Sequence, residues 1–142
     1  MTRIDFYILP DASSEQRLTF TCRLIDKAQK LNNQVYVACD NAEQAQALSR
    51  LLWSFQPQSF IAHDLQGQPQ RHAKVLLGWD DNCGDHHQVL VNLKKTIPTY
   101  FSRFERLTEV VSQEEQILEQ TREHYSFYRE RGYPINNNDM RR

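Results

Sequence analysis

Residues 34–40, QVYVACD, make a nearly continuous apolar run with helical patterning on both sides of it. A strand with one face in water alternates apolar and polar residues. A continuous run suits a parallel strand covered on both faces. Before it, SSEQRLTFTCRLIDKAQKLNN (13–33) repeats Leu18, Thr21, Leu24 or Ile25, Ala28 and Leu31 at helical spacing, which predicts a buried stripe. Ser13 can cap this helix, with Gln16 completing a capping box, and Asn32-Asn33 can end it because Asn tolerates the left-handed conformation. After it, DNAEQAQALSRLLW (40–53) reads as a second helix. Asp40 and Asn41 are its cap candidates, and Ala42, Ala45, Leu48 and Leu52 form its inner face.

A strand candidate, IDFYIL (4–9), precedes both helices. The order strand, helix, strand, helix predicts an α/β fold: a single Rossmann-like domain whose mainly parallel sheet is flanked by helices. Downstream, DLQGQPQRH reads as a polar loop, AKVLLGW (73–79) and QVLVNL (88–93) as strands, PTYFSRF as a short helical turn and RLTEVV (106–111) as a strand. A long C-terminal helix follows. Ser112 and Glu115 offer a capping box, and the helix runs to about Arg131, with Gly132 and Pro134 as stop signals. INNNDMRR (135–142) reads as a loose, flexible polar tail. With neither repeat nor linker, residues 1–142 are expected to form one domain around one core.

Several function classes lose support. The formal net charge is −1, from 17 basic and 18 acidic residues, which argues against a strongly basic nucleic-acid binder. Only four glycines occur, and GxGxxG, GxxxxGK[ST] and GxSxG are all missing, so neither a phosphate-gripping loop nor a nucleophile elbow is expected. Cys22, Cys39 and Cys83 form no CxxC, which leaves no disulfide framework or cysteine zinc site. DDNCGDHH, with His63 and His72 elsewhere, has metal-binding residue types, but the spacing fits no tight motif and suits a turn between strands. Asp40 stands where a ribose could meet the end of a parallel strand, yet without a phosphate loop it reads as a cap, and Cys39 as a small buried residue. No cofactor, metal site or catalytic residue is expected. No apolar run approaches the roughly 18 residues of a membrane span, and the N-terminus lacks the pattern of a signal peptide, so the chain reads as soluble and cytoplasmic.

Two stretches point instead to partners. LLWSFQPQSFIAH (51–63) places Trp53, Phe55, Phe60 and Ile61 around a proline at a helix end. Trp is enriched at interface centres, although burial in a core is the commoner fate of such residues. In the last helix, Ile117, Thr121, His124 or Tyr125, and Tyr128 share one face, while Leu118, Arg122, Tyr125 and Arg129 share the next. An apolar foot, two guanidinium groups and a ring can hold a carboxylate beside an apolar side chain, or can be plain solvated surface.

DFYIL, VYVACDNAEQAQALSRLLWSFQPQSFIAHDL, LTEVV and REHYSFYRERGYPIN, in that order, resemble the chi subunit of bacterial DNA polymerase III holoenzyme over nearly the full length. The resemblance implies a non-catalytic accessory of the clamp loader with a Rossmann-like fold, in a family that can carry the polymerase label of the holoenzyme. It implies a one-to-one pairing with the psi subunit, which tethers chi to the clamp loader. It also implies binding of the acidic, phenylalanine-ended tail of the single-stranded DNA-binding protein, with little or no direct DNA binding and no membrane partner. Trp53 and Phe60 match chi positions that face psi; Arg122 and Tyr125 match a basic residue and a ring of the tail site. The chain departs from the family pattern at Ala62, where proline can stand, and at Leu118 and Ser126, where lysines can stand. The tail is then gripped with less charge, or Arg129 or the terminal arginines compensate. The alternative from another class is a small α/β nucleotide-binding domain or enzyme.

Overall fold

In a computed structural model, which describes residues 1–57 and 60–141, strands and helices alternate as the patterning requires. β1 (Arg3–Ile8), α1 (Ser14–Lys30), β2 (Val35–Ala38) and α2 (Ala42–Ser54) come first. β3 (His63–Leu65), β4 (Val75–Gly78) and β5 (Val89–Asn92) follow, then a 3₁₀ turn at Phe101–Arg103. β6 (Arg106–Val111), α3 (Glu115–Glu130) and β7 (Ile135–Asp139) complete the fold. All seven strands lie parallel in one sheet, in the order β3-β4-β2-β5-β6-β1-β7.

β2 explains the apolar run. All four of its residues are buried, between β4 and β5. Val35 and Val37 enter the core that also takes Ile25 of α1 and Leu48 and Leu52 of α2. Tyr36 and Ala38, on the other face, enter the core that takes Phe101, Phe104 and Tyr128 of α3. α1 and α2 therefore cover one side of the sheet and α3 the other. Among the described residues no helix is long and apolar enough to cross a membrane.

The helix ends follow local chemistry. Ser13 Oγ accepts the Gln16 N–H at 3.2 Å, and Asn32 takes a positive φ of 67° just past α1. Asn41, not Asp40, caps α2: its Oδ1 accepts the Gln44 N–H at 2.8 Å, while the Gln44 side chain accepts the Asp40 N–H at 2.7 Å. Gly132, at φ 77°, turns the chain after α3.

Four expectations need correction. Leu31 is 68% exposed, because α1 ends one residue before it and its stripe stops at Ala28. Arg17 takes an inward place instead, its Nε–H donating to the Val110 carbonyl at 2.8 Å. The polar segment after Ile61 is not all loop: Asp64 and Leu65 belong to edge strand β3, and the Asp64 carboxylate accepts the N–H groups of Arg71 and Ala73 at 2.9 and 2.8 Å. Ser112 and Glu115 form no capping box. Ser112 is still buried at the end of β6, Glu114 is the N-cap, and no side chain caps the helix. Finally, residues 135–139 are no loose tail. They pair with β1 from Ile4↔Ile135 to Ile8↔Asp139 as strand β7, and the Met140 N–H extends the ladder to the Ile8 carbonyl at 2.8 Å. A backbone ladder needs an open strand edge more than apolar side chains, and β1 offers one.

Candidate functional site

At the end of α2, burial of Ala45, Leu48 and Leu52 turns Trp53 outward. Trp53 and Phe60 are each 58% exposed, and their rings stack at 4.8 Å with 20° between planes. His63 meets Trp53 edge-on at 5.9 Å. Its Nδ1 lies 2.7 Å from the Ile61 carbonyl, which can only accept, so Nδ1–H donates there, and Nε2 lies 2.7 Å from the Ser49 hydroxyl. Ile61 is buried, its N–H donating to the Leu52 carbonyl at 3.1 Å, and half-buried Phe55 packs on the same core. The aromatic stretch thus splits: Phe55 and Ile61 plug the core, while Trp53 and Phe60 face outward. Gln58 and Ser59 lie outside the described residues.

At the carboxyl end of β2, Asp40 is already engaged, its Oδ1 accepting the Lys95 N–H at 2.9 Å. Burial pushes the Cys39 thiol up to about 12, so it holds its proton at neutral pH. In DDNCGDHH, Asp80 receives the Asn82 N–H and the Gln66 amide, and Cys83 is buried, which is turn chemistry. Among the described residues no group of three or more His, Cys, Asp or Glu side chains could hold a metal ion.

Along α3 runs a groove of about 690 Å³. Phe6 and Ile8 of β1 and Val111 of β6 form its floor. Leu118, Arg122 and Tyr125 form the helix wall, with the Tyr125 ring 5.5 Å from that of Phe6. The opposite wall comes from β7 and the residues after it: Asn137, Asp139 and Arg141. Three of the four residues expected on one α3 face are thereby brought together. Arg129 is exposed and stands outside the groove wall, since its position turns it away from the sheet. Of the terminal arginines, Arg141 reaches the groove, and Arg142 lies outside the described residues.

Behind the groove wall, on the inner face of α3, sits a polar cluster that sequence reasoning missed. Glu109 of β6, His124 and Tyr128 are all at most 4% exposed. Glu109 Oε2 accepts from the Tyr128 hydroxyl at 2.8 Å and from His124 Nδ1 at 2.9 Å. His124 Nε2 lies 2.8 Å from the Lys95 carbonyl. Both ring nitrogens face acceptors, so both donate and the ring is an imidazolium. Burial opposes that charge, but the hydrogen bond and charge of Glu109 outweigh it, and His124 is held above its ordinary pKa. Burial and the same carboxylate push the Tyr128 hydroxyl up. Asn92 Nδ2 completes the set, donating to Glu109 at 3.3 Å. This cluster ties α3 to β6 and to the loop after β5. The available signal was one acidic residue in an otherwise apolar strand, with His124 and Tyr128 four apart on a helix.

The model of the family described as DNA polymerase III chi subunit, HolC, matches residues 1–136. The chain belongs to the DNA polymerase III chi subunit family. The DNA polymerase III subunit chi of Pseudomonas aeruginosa is 38% identical over 142 residues, covering 100% of this chain and 99% of that protein. The corresponding subunit of Escherichia coli K12 is 25% identical, over 96% of this chain and 97% of that protein. That of Haemophilus influenzae is 23% identical, over 95% of each. Within this chi family member, the exposed aromatic pair and the α3 groove lie on opposite faces of the sheet and toward opposite edges of it, near β3 and β7 respectively.

Proposed function

We propose that this chain is a non-catalytic accessory subunit of a DNA polymerase III assembly. In this reading it joins the psi subunit, and through psi the clamp loader, to the acidic C-terminal tail of the single-stranded DNA-binding protein, and it works in the cytoplasm at the replisome. The observation that carries the reading is the α3 groove, where an apolar floor of Phe6, Ile8 and Val111 lies beside the Arg122 guanidinium. A tail that ends in phenylalanine presents an apolar ring next to a carboxylate. The groove offers both matches at once: Leu118 and Tyr125 receive the ring, and Arg122 forks onto the carboxylate. The psi subunit is assigned to Trp53 and Phe60, where two large rings stand in solvent side by side. Because the two surfaces use different helices on different faces, both partners can be held together.

A tail peptide ending in phenylalanine, titrated against wild type and Arg122→Ala, tests the groove. Wild type binds, and the variant loses roughly 2 kcal/mol or more of binding, as expected for truncating one partner of a desolvated charge pair. Equal affinity for both proteins would move the tail site elsewhere. Co-purification of psi with wild type but not with Trp53→Ala tests the aromatic pair.

A further inference from the structure

The groove contains more charge than Arg122. Parallel pairing sets Phe6 beside Asn137 and Ile8 beside Asp139, so alternate residues of β7 follow the groove floor on the same sheet face. Arg141 comes next in that alternation, fixed by the Met140–Ile8 backbone bond. The Asp139 carboxylate grips Arg141 twice, at 2.9 Å from Nε and 2.7 Å from Nη2, and also accepts the Arg141 backbone N–H at 3.0 Å. Both side chains are about half exposed, at 52% and 48%, and both line the groove. A guanidinium has five N–H donors, so the edge turned from Asp139 remains open to a second carboxylate.

We propose that Arg141 is a second cationic contact for an acidic peptide in this groove, and that Asp139 is a built-in competitor that weakens the groove's hold on it. The inference rests on the tail-binding reading above. Among the described residues, the charged groups lining the groove are Arg122, Arg141 and Asp139, which leave a net charge of +1. The hydrogen bonds from Arg141 hold the Asp139 carboxyl down at about 2, so it is ionised at every physiological pH. An incoming carboxylate meets one repulsive charge together with two attractive ones. An exposed ion pair contributes little to stability, so loss of the Asp139–Arg141 pair costs little, whereas loss of the Asp139 charge doubles the net charge of the groove. The pair therefore sets affinity rather than stability. Arg141 also places, opposite α3, a guanidinium that Leu118 and Ser126 do not provide on the helix.

The test is calorimetric titration of the full chain with an acidic peptide ending in phenylalanine with a free carboxylate, at two salt concentrations. Asp139→Asn keeps a carbonyl acceptor for Arg141 and removes the charge. It binds about fivefold more tightly than wild type, and its affinity falls more steeply with salt. Arg141→Gln binds about fivefold more weakly. The double variant returns close to wild type. If Asp139→Asn binds no more tightly than wild type, or Arg141→Gln binds as well, the inference is overturned. Arg122→Ala separates the two levels. When it weakens binding and Asp139→Asn changes nothing, only this inference falls. When wild type itself does not bind, the tail reading falls with it.

Discussion

At the end of α2 two rings lie against each other in the open, 58% exposed each. Along α3 one ring lies against the sheet, with a guanidinium beside it and an ion pair opposite. Both surfaces use aromatic carbon, and the groove sets charged side chains directly beside it. The helices are also held differently. α2 is fixed by Ala45, Leu48 and Leu52, all aliphatic. α3 adds to its apolar packing the polar cluster of Glu109, His124 and Tyr128. An apolar surface on an apolar anchor responds weakly to salt and pH. A charged groove on an ionic anchor responds to both.

The sharpest way to break this comparison is at the anchor. Glu109→Ala leaves a buried imidazolium, a tyrosine hydroxyl and an asparagine amide without their common acceptor. It is expected to lower unfolding stability by about 3 kcal/mol or more in denaturant titration, whereas Trp53→Ala, on the surface, stays within about 0.5 kcal/mol of wild type. A Glu109→Ala protein as stable as wild type would mean that apolar packing alone seats α3.

Next in size is the contrast between the surfaces themselves. Trp53→Ala and Arg122→Ala should each cost about 2 kcal/mol, the first on psi binding and the second on tail binding. Raising salt should erode the tail affinity of wild type and leave psi affinity nearly level. If psi binding fell as steeply with salt as tail binding, the aromatic pair would not be the main psi contact.

Much of this scaffold could be read locally. Ser13, Asn32 and Gly132 act within a turn of where they stand, and the run VYVA of β2 needs cover on both faces wherever it goes. The helix-wall residues Leu118, Arg122 and Tyr125 follow from helical spacing alone. Residues whose role is set by distant neighbours were not legible. Asn136–Asn138 carry poor strand propensity and form β7 only because β1 offers an edge more than a hundred residues back in the chain. Without β7 the groove has no far wall, so Asp139 and Arg141 could not be placed. The burial of Arg17 and Glu109 rests on partners distant in sequence: Val110 for Arg17, and His124 and Tyr128 for Glu109.

The smallest effect, and the most specific to the ionic anchor, is its response to pH. His124 is more basic in the folded chain than in the unfolded one, where an imidazole titrates near about 6.5. Below that pH both states hold the proton, and the full contribution of the pair to stability is present. As pH rises from there through the folded value, the unfolded chain releases its proton first, and the contribution is progressively lost. His86 has the opposite sense, since burial pushes its pKa down, but its influence is confined to pH values below about 6.5. Above that point the trend belongs to His124. The midpoint of thermal unfolding should therefore fall as pH is raised above about 6.5. His124→Gln should be less stable than wild type at pH 6, and the gap should narrow as pH rises. Tail affinity should weaken in the same window as α3 loosens, while psi affinity holds. A wild-type to His124→Gln gap that stays constant with pH would show that no proton is held at this site, and α3 would then be anchored no differently from α2.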